Sequence, residues 1–217
     1  MYNLPYHKEK DPQVINEFVQ RYPFAFLTGC DEHNMPVATQ VPLFMEEKNG
    51  KHFLSGHIMK NTDHHKAFLH NPQVLVVFTG PNSYISGTWY SDPCMAATWN
   101  YMSVHARGTI RFLDGAALEE MLQKTSLHFE HNNERSSTVF NNLPLAFRQK
   151  VMHYIIAFEI EVQELDTVFK LSQDKDYKSY QNIKIRLRQQ GENGQAIAAE
   201  MEKRTEQLFS TVPAESH

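Results

Sequence analysis

The sequence predicts a mainly β protein of the α+β class, an antiparallel barrel with helices on its flanks. Two observations predict it. About six strand-like segments are interleaved with short helices and show no regular βαβ alternation. No G-x-G-x-x-G sequence follows any predicted strand, so the main signature of a doubly wound dinucleotide-binding sheet is missing.

The elements follow in order. Asp11-Pro12 reads as a helix start, with Val14, Ile15, Phe18 and Val19 behind it at helical spacing, and Tyr22-Pro23 breaks the pattern. Phe24 to Thr28 reads as a strand and Asp31 to Asn34 as a turn. Pro36 to Met45 reads as a second strand, whose Pro42 points to an edge or a bulge. Asn49-Gly50 is a hairpin signal that leads into a third strand, Lys51 to Gly56. A short helix from about Thr62 to His70 is stopped by Asn71-Pro72. The β-branched run Val74 to Phe78 reads as a buried strand, and Gly80-Pro81-Asn82-Ser83 as a turn. Trp99 to Leu113 alternates, with Met102, Val104, Ala106, Ile110 and Phe112 on one face and Ser103, His105, Arg107, Thr109 and Arg111 on the other. Ala116 to Phe129 is an amphipathic helix, residues 131–142 a polar loop, and a short helix follows Pro144. In a last strand Ile156, Phe158, Ile160 and Val162 alternate with Ala157, Glu159, Glu161 and Gln163. From Asp174 the chain turns polar and helix-prone, interrupted by Gly191 and Gly194. Residues 174–217 are therefore expected to be a helical C-terminal extension: two surface or dimer-wrapping helices with a frayed end.

Composition narrows the function classes. At 217 residues, with 41% hydrophobic and 12% aromatic residues, the chain has a sizeable core and needs no disulfide or metal to fold. A net charge of −4 gives no basic footprint for nucleic acid. Cys30 and Cys94 form no framework and have no metal spacing. No segment has signal-peptide character or approaches the length of a membrane span. A reducing cytoplasm is the expected location.

Three constellations have chemical potential. Ser55-Gly56-His57-Ile58-Met59-Lys60-Asn61-Thr62 ends a strand and opens a helix. A helix N-terminus offers unpaired N–H groups and positive dipole, Lys60 adds charge, and Asn61 and Thr62 add donors, so a phosphate would suit it. On the residues alone a capped surface helix with a solvated lysine is the simpler reading, and Asp63 slightly opposes an anion by charge. The second constellation gathers Tyr84, Ser86, Trp89, Tyr90, Trp99, Asn100 and Tyr101. Its rings could wall a planar ligand that Ser86 and Asn100 orient, or could be ordinary packing. The third is the histidine content: twelve in all, including His57, His64-His65, His70 and His128-x-x-His131. His64 and His65 are adjacent and face different sides of a helix, and no carboxylate or cysteine stands beside them at ligand spacing, so structural or surface roles fit better than metal or haem. No G-x-S-x-G, H-E-x-x-H or P-loop occurs, and Cys94, in Asp92-Pro93-Cys94, has no placed base.

Five pieces taken in order extend this reading: GPNSYIS from Gly80, Trp89-Tyr90, TWNY from Thr98, VHARG from Val104 and FKLSQ from Phe169. Together, over about Met1 to Lys175, they resemble the PaiB family, FMN-binding split-barrel proteins named as negative transcriptional regulators. That family lies within the superfamily that includes pyridoxamine-phosphate oxidases. The resemblance implies an FMN-binding split β-barrel over residues 1–173, FMN as cofactor, and a homodimer whose flavin sites are shared between subunits. It sets Lys60 where the family has a basic residue near the flavin phosphate, with Ser55, Gly56 and His57 lining the same strand end. It sets Ala38, Thr39, Gln40 and Val41 where a strand edge approaches the isoalloxazine. Trp99, Asn100 and His105 would come from the aromatic segment of one or the other subunit.

The chain departs from the pattern in places. Gln40 stands for a usual histidine, Lys60 for a usual arginine and Gly87 for a usual proline, and the stretch between Tyr90 and Thr98 is short and lacks the usual lysine. Losing the arginine forfeits bidentate phosphate contact. Two function classes follow: a binding or regulatory protein that acts through its flavin, or an FMN-dependent oxidoreductase working on a small substrate, with the cofactor doing the redox chemistry. No acid–base dyad, helix-turn-helix or basic surface stands out, so direct nucleic-acid binding is not expected. Haem in place of FMN is a third option, resting on the histidines.

Overall fold

Alternating burial along the strands builds the sheet. In the computed structural model, which describes residues 1–92 and 94–210, β1 (Phe24–Cys30) buries Ala25 and Leu27 and turns Phe24 and Phe26 outward. The strands that follow are β2 (Pro36–Pro42), β3 (Phe44–Lys48), β4 (Lys51–Met59), β5 (Gln73–Ile85), β6 (Thr98–Leu113) and β7 (Ile155–Lys170). They form one sheet in the order β2-β1-β5-β6-β7-β4-β3. The pairs β1–β2, β1–β5, β3–β4 and β4–β7 are antiparallel. The helices are α1 (Pro12–Arg21), α2 (Asp63–His70), α3 (Ala116–Phe129), α4 (Leu145–Tyr154), α5 (Tyr177–Arg188) and α6 (Glu192–Phe209). The mainly β architecture with flanking helices is thus as expected, with seven strands among the described residues instead of six.

The chain divides into two compact units. The first comprises Asn16–Phe78 and His105–Leu165. Its interior is lined by Ala25, Leu27, Leu54, Val76, Ala106, Phe158 and Ile160, all fully buried. Burying each large side chain contributes about 1.5–3 kcal/mol. Gly56 on β4 brings the sheet round on itself: a Cβ there would lie 3.1 Å from the Pro42 carbonyl oxygen on β2 and 2.9 Å from Leu43. A satellite cluster of Leu118, Met121, Leu122, Phe140 and Ala157 seats α3 against the sheet, joined by Phe44, Leu113, Leu143, Met152 and Ile155. The second unit comprises Met1–Ile15, Thr79–Val104 and the described residues from Asp166 onward. There α5 packs on α6 through Tyr180, Ile183, Leu187, Ile197, Ala198 and Met201, and the Tyr180 hydroxyl donates to the Met201 carbonyl at 2.8 Å. Asp176 caps α5. Its burial opposes the charge, but hydrogen bonds from Ser179 and Ser91 outweigh that and hold its carboxyl down at about 2.

Two sequence expectations are corrected. The strand expected over Pro36–Met45 is two strands broken at Leu43, whose N–H bonds the Pro23 carbonyl at 2.9 Å and whose side chain is buried; beyond the break β3 pairs with β4. The turn expected at Gly80–Ser83 is strand. Pro81, Ser83 and Ile85 alternate inward, and the Ser83 hydroxyl donates to Gln190 at 2.6 Å, so period-2 burial overrides the local turn propensity. The interruption expected at Gly191 and Gly194 is narrower than foreseen: Gly191 caps α6 and Gly194 lies inside it, where a Cβ would come within 2.8 Å of the Leu187 carbonyl oxygen. The frayed end falls on 211–217, outside the described residues.

Candidate functional site

The arm between β4 and α2 is built by hydrogen bonds from its own residues. Asn61 adopts a left-handed conformation, φ 64°, which asparagine tolerates better than most residues. The Lys60 N–H donates to the Tyr154 carbonyl at 2.8 Å and the Asn61 N–H to His65 Nδ1 at 3.1 Å. Thr62 is the N-cap of α2: its Oγ1 accepts from the His65 N–H at 3.3 Å and donates to the Met59 carbonyl at 3.1 Å. Asp63 turns to His64, taking its backbone N–H at 2.7 Å and facing Nδ1 at 3.0 Å, and the backbone bond from His64 leads in holding its carboxyl below the usual range.

These bonds bear on the phosphate expectation. The N–H groups of residues 60, 61, 64 and 65 are engaged, so the helix N-terminus has little left to offer an anion. The half-buried Lys60 side chain has no carboxylate partner among the described residues, and Lys66 and His64 add to the basic surroundings. A phosphate therefore fits the arm through the Lys60 ammonium and the Asn61 side chain, as a point-charge site; the one Thr62 hydroxyl proton is already given to the Met59 carbonyl.

Ser55 and His57 lie on β4 one and two alternations back. Across the ladder Ser55 is level with Phe44 and Glu159, and His57 with Ala157, so both share the face that Phe44 and Ala157 present to the α3 cluster. The Ser55 hydroxyl is buried without a hydrogen-bond partner, and burial lowers the His57 pKa. Beside Ser55, Glu159 accepts from Lys48 at 2.9 Å and from Arg111 at 2.7 Å. Gly56 points the other way, into the β2–β4 approach.

Ala38 to Val41 divide between two faces. Ala38 and Gln40 are exposed, level with Thr28 and Phe26 on β1, whereas Val41 is buried and Thr39 half-buried. Around Gln40 the outer face is apolar: Phe24 is 57% and Phe26 40% exposed, and Val77 of β5 lies level with Phe26. Ala38 also lines an open groove of about 670 Å³ with Thr28, Cys30, Leu75 and Arg107. His105 is half-buried on β6, near Arg107 in the chain.

In the second unit the aromatic constellation separates into exposed and buried members. Trp99 is 54% exposed and meets Tyr84 edge-on at 6.0 Å. Ser86 caps a 3-10 turn, Gly87–Trp89, in which Trp89 is half-buried. Tyr90 is buried, its hydroxyl unpartnered and its ring beneath Lys175. Asn100 is fully buried: its amide donates to Ser172 at 2.9 Å and contacts the Met201 sulfur at 3.8 Å, while the Ser172 hydroxyl donates back to its Oδ1. That fastens β6 to the turn after β7 and leaves the side chain little capacity for a ligand. No group of three or more potential metal ligands occurs among the described residues. Sequence reasoning set His65 aside as a structural or surface histidine, whereas its ring buttresses the arm by accepting the Asn61 N–H, and it passed over the outward pair Phe24 and Phe26, although their alternation with two core residues was visible.

Comparison with known proteins adds three findings. Residues 1–164 match the family model described as "Putative FMN-binding domain". The chain is 29% identical over 203 residues to Protease synthase and sporulation protein PAI 2 of Bacillus subtilis, covering 93% of this chain and 97% of that protein. It is also 24% identical to an uncharacterized protein of Emericella nidulans, over 80% of this chain and 85% of the other. Among solved structures it shares a fold with the flavocytochrome Anf3 of Azotobacter vinelandii (TM-score 0.56, 13% identity, 78% of this chain and 72% of that one). It shares it also with an FAD and haem binding protein of Mycobacterium smegmatis (TM-score 0.53, 11% identity, 76% and 73%).

Proposed function

The chain belongs to the FMN-binding-domain family and FMN is its cofactor; on that premise we propose that it is a regulatory flavoprotein of PaiB type. It holds FMN by the phosphate at Lys60 and Asn61, on an entry that Thr62 caps, and lays the isoalloxazine along the outer edge of β2 at Ala38 and Gln40. The observation that carries the reading is Lys60, a half-buried cation without a carboxylate partner on an arm pinned by four hydrogen bonds. The Bacillus relative is named for protease synthase and sporulation, a physiological description, and this supports regulation over metabolism. The carboxylate–imidazole contact on the arm, Asp63 with His64, runs on to the Thr62 hydroxyl at 3.0 Å and serves the cap of α2, so the protein contributes placement and electronics and the flavin the redox chemistry.

The protein acts as a homodimer in the cytoplasm. The exposed Phe24 and Phe26 beside Gln40 support a partner subunit over the flavin edge, since so much apolar surface is unusual on a monomer. The unpaired thiols of Cys30 and Cys94 are consistent with a reducing compartment.

Lys60→Ala tests the phosphate assignment. It weakens FMN binding about ten- to a hundredfold, the worth of one charged hydrogen bond, and leaves riboflavin, which has no phosphate, nearly unchanged. Equal losses for both ligands would move the phosphate elsewhere.

A further inference from the structure

We propose that His65 positions the phosphate arm and does so only as the neutral imidazole, so that FMN affinity is switched by pH through a residue that never touches the flavin. This rests on the reading that Lys60 and Asn61 hold the phosphate.

The geometry assigns the ring one task. Nδ1 accepts the Asn61 N–H at 3.1 Å, so in the neutral ring the proton sits on Nε2. Nε2 is buried with no hydrogen-bond partner, and the ring meets Phe112 edge-on at 4.8 Å. The Asn61 turn is left-handed and needs holding, and its N–H is the group that the ring holds. The backbone of His65 fastens the arm a second time, through its N–H to Thr62. A proton on Nδ1 would set donor against donor and release Asn61, and with it the placement of Lys60.

The surroundings favour the neutral form. Burial first, then His64, Lys60 and Lys66, hold the His65 pKa below its ordinary value. Asp63, the nearby acid, is turned to His64. The strands against which α2 packs, β1 and β2, bring only Cys30 as an ionisable side chain, and β6 brings Arg111 beside Phe112, already paired with Glu159. A bound phosphate pulls the other way, favouring a charged ring. The acceptor is nevertheless spent on Asn61, so protonation costs the arm its shape before it adds attraction.

The test titrates FMN and riboflavin into the full-length protein between about pH 5 and 8, where histidine changes charge. His65→Leu weakens FMN about tenfold, one hydrogen bond's worth, and leaves riboflavin within about twofold. His65→Asn, whose amide oxygen replaces Nδ1 as acceptor, restores most of the loss. The second ionisation of FMN's own phosphate, near about pH 6, affects all variants alike. Wild-type protein therefore loses more FMN affinity on acidification than His65→Asn does. Nitrogen NMR of the wild-type ring, read without any flavin, shows the Nε2–H tautomer. An Nδ1–H tautomer, parallel pH profiles, or equal losses of both ligands in His65→Leu would each overturn the inference. An FMN-specific loss in Lys60→Ala but not in His65→Leu sinks the inference and spares the phosphate site. The reverse keeps His65 and sinks Lys60.

Discussion

Gly108 offers a sharp test of how β6 and β7 pack. A Cβ at this position would stand 2.2 Å from the Glu161 carbonyl oxygen, 3.0 Å from its carbonyl carbon and 2.9 Å from Ile160 Cγ2. Ordinary contact begins near 3.4 Å, so Gly108→Ala forces the strands apart by about 1.2 Å, from 3.4 − 2.2. Ladder hydrogen bonds of about 2.9 Å would stretch to about 4 Å and cease to be bonds. Two such losses cost about 1–3 kcal/mol, and the disturbed packing around Ile160 about 1–3 more. We expect about 3–5 kcal/mol of destabilisation, a fall in Tm of roughly 6–20 °C for a chain of this size. Gly50→Ala is the control. Gly50 has φ +74° and nothing within 4 Å of a Cβ, so only the left-handed backbone is penalised, by about 1–2 kcal/mol. Thermal unfolding of the flavin-free proteins at equal concentration compares them. Gly108→Ala no less stable than Gly50→Ala would refute the close strand approach.

Two further expectations follow from the same unit. The proposed dimer is tested by Phe26→Asp, which places a charge on the apolar β1 face: it is expected to give a monomer by light scattering at micromolar concentration with its circular dichroism intact, where the unaltered protein gives a dimer, and a dimer that survives would put the partner elsewhere. Glu159→Gln removes a buried carboxylate bonded to Lys48 and Arg111, whose net effect, against the desolvation that opposes it, is to hold its pKa below the ordinary glutamate value. The folded value is the lower one, so this stabilisation is present above the unfolded pKa of about 4.3 and is lost as pH falls through the folded value. Both cations are about half exposed or more, so the gap at neutral pH is only about 1–2 kcal/mol and closes on acidification. A gap that stays constant in urea titrations from neutral to acid pH would contradict the pairing.

What could be read from the chain and what could not divide along one line: patterns local in sequence were legible, partnerships made across it were not. Alternation along β6, the Asn49-Gly50 hairpin and the short helix opening at Thr62 each need only a few neighbouring residues, and each is found within a residue of where the pattern put it; β7 instead buries Ala157 to Ile160 in succession, because its other face is covered by the α3 cluster. The break at Leu43 and the straight run through Gly80-Pro81 depend on Pro23 and Gln190, residues a local window does not contain. The site divides in the same way. Lys60, Asn61 and Thr62 were legible as a basic, donor-rich helix entry. That the N–H groups of that entry are already engaged was not, because it turns on which way the rings and carboxylate of residues 63–65 rotate. Asn100 looked free among aromatic residues and is instead bonded to Ser172, 72 residues on, and in contact with Met201, 101 residues on. His65 is the strongest case. Its place beside His64 marked it as one of an ordinary surface pair, and only the 3.1 Å between Nδ1 and the Asn61 N–H gives it a task. Positioning residues are the least legible part of such a site, since their chemistry is directed at the backbone and leaves no motif. A search for them has to begin from strained backbone, here the left-handed Asn61, and ask which side chain holds it.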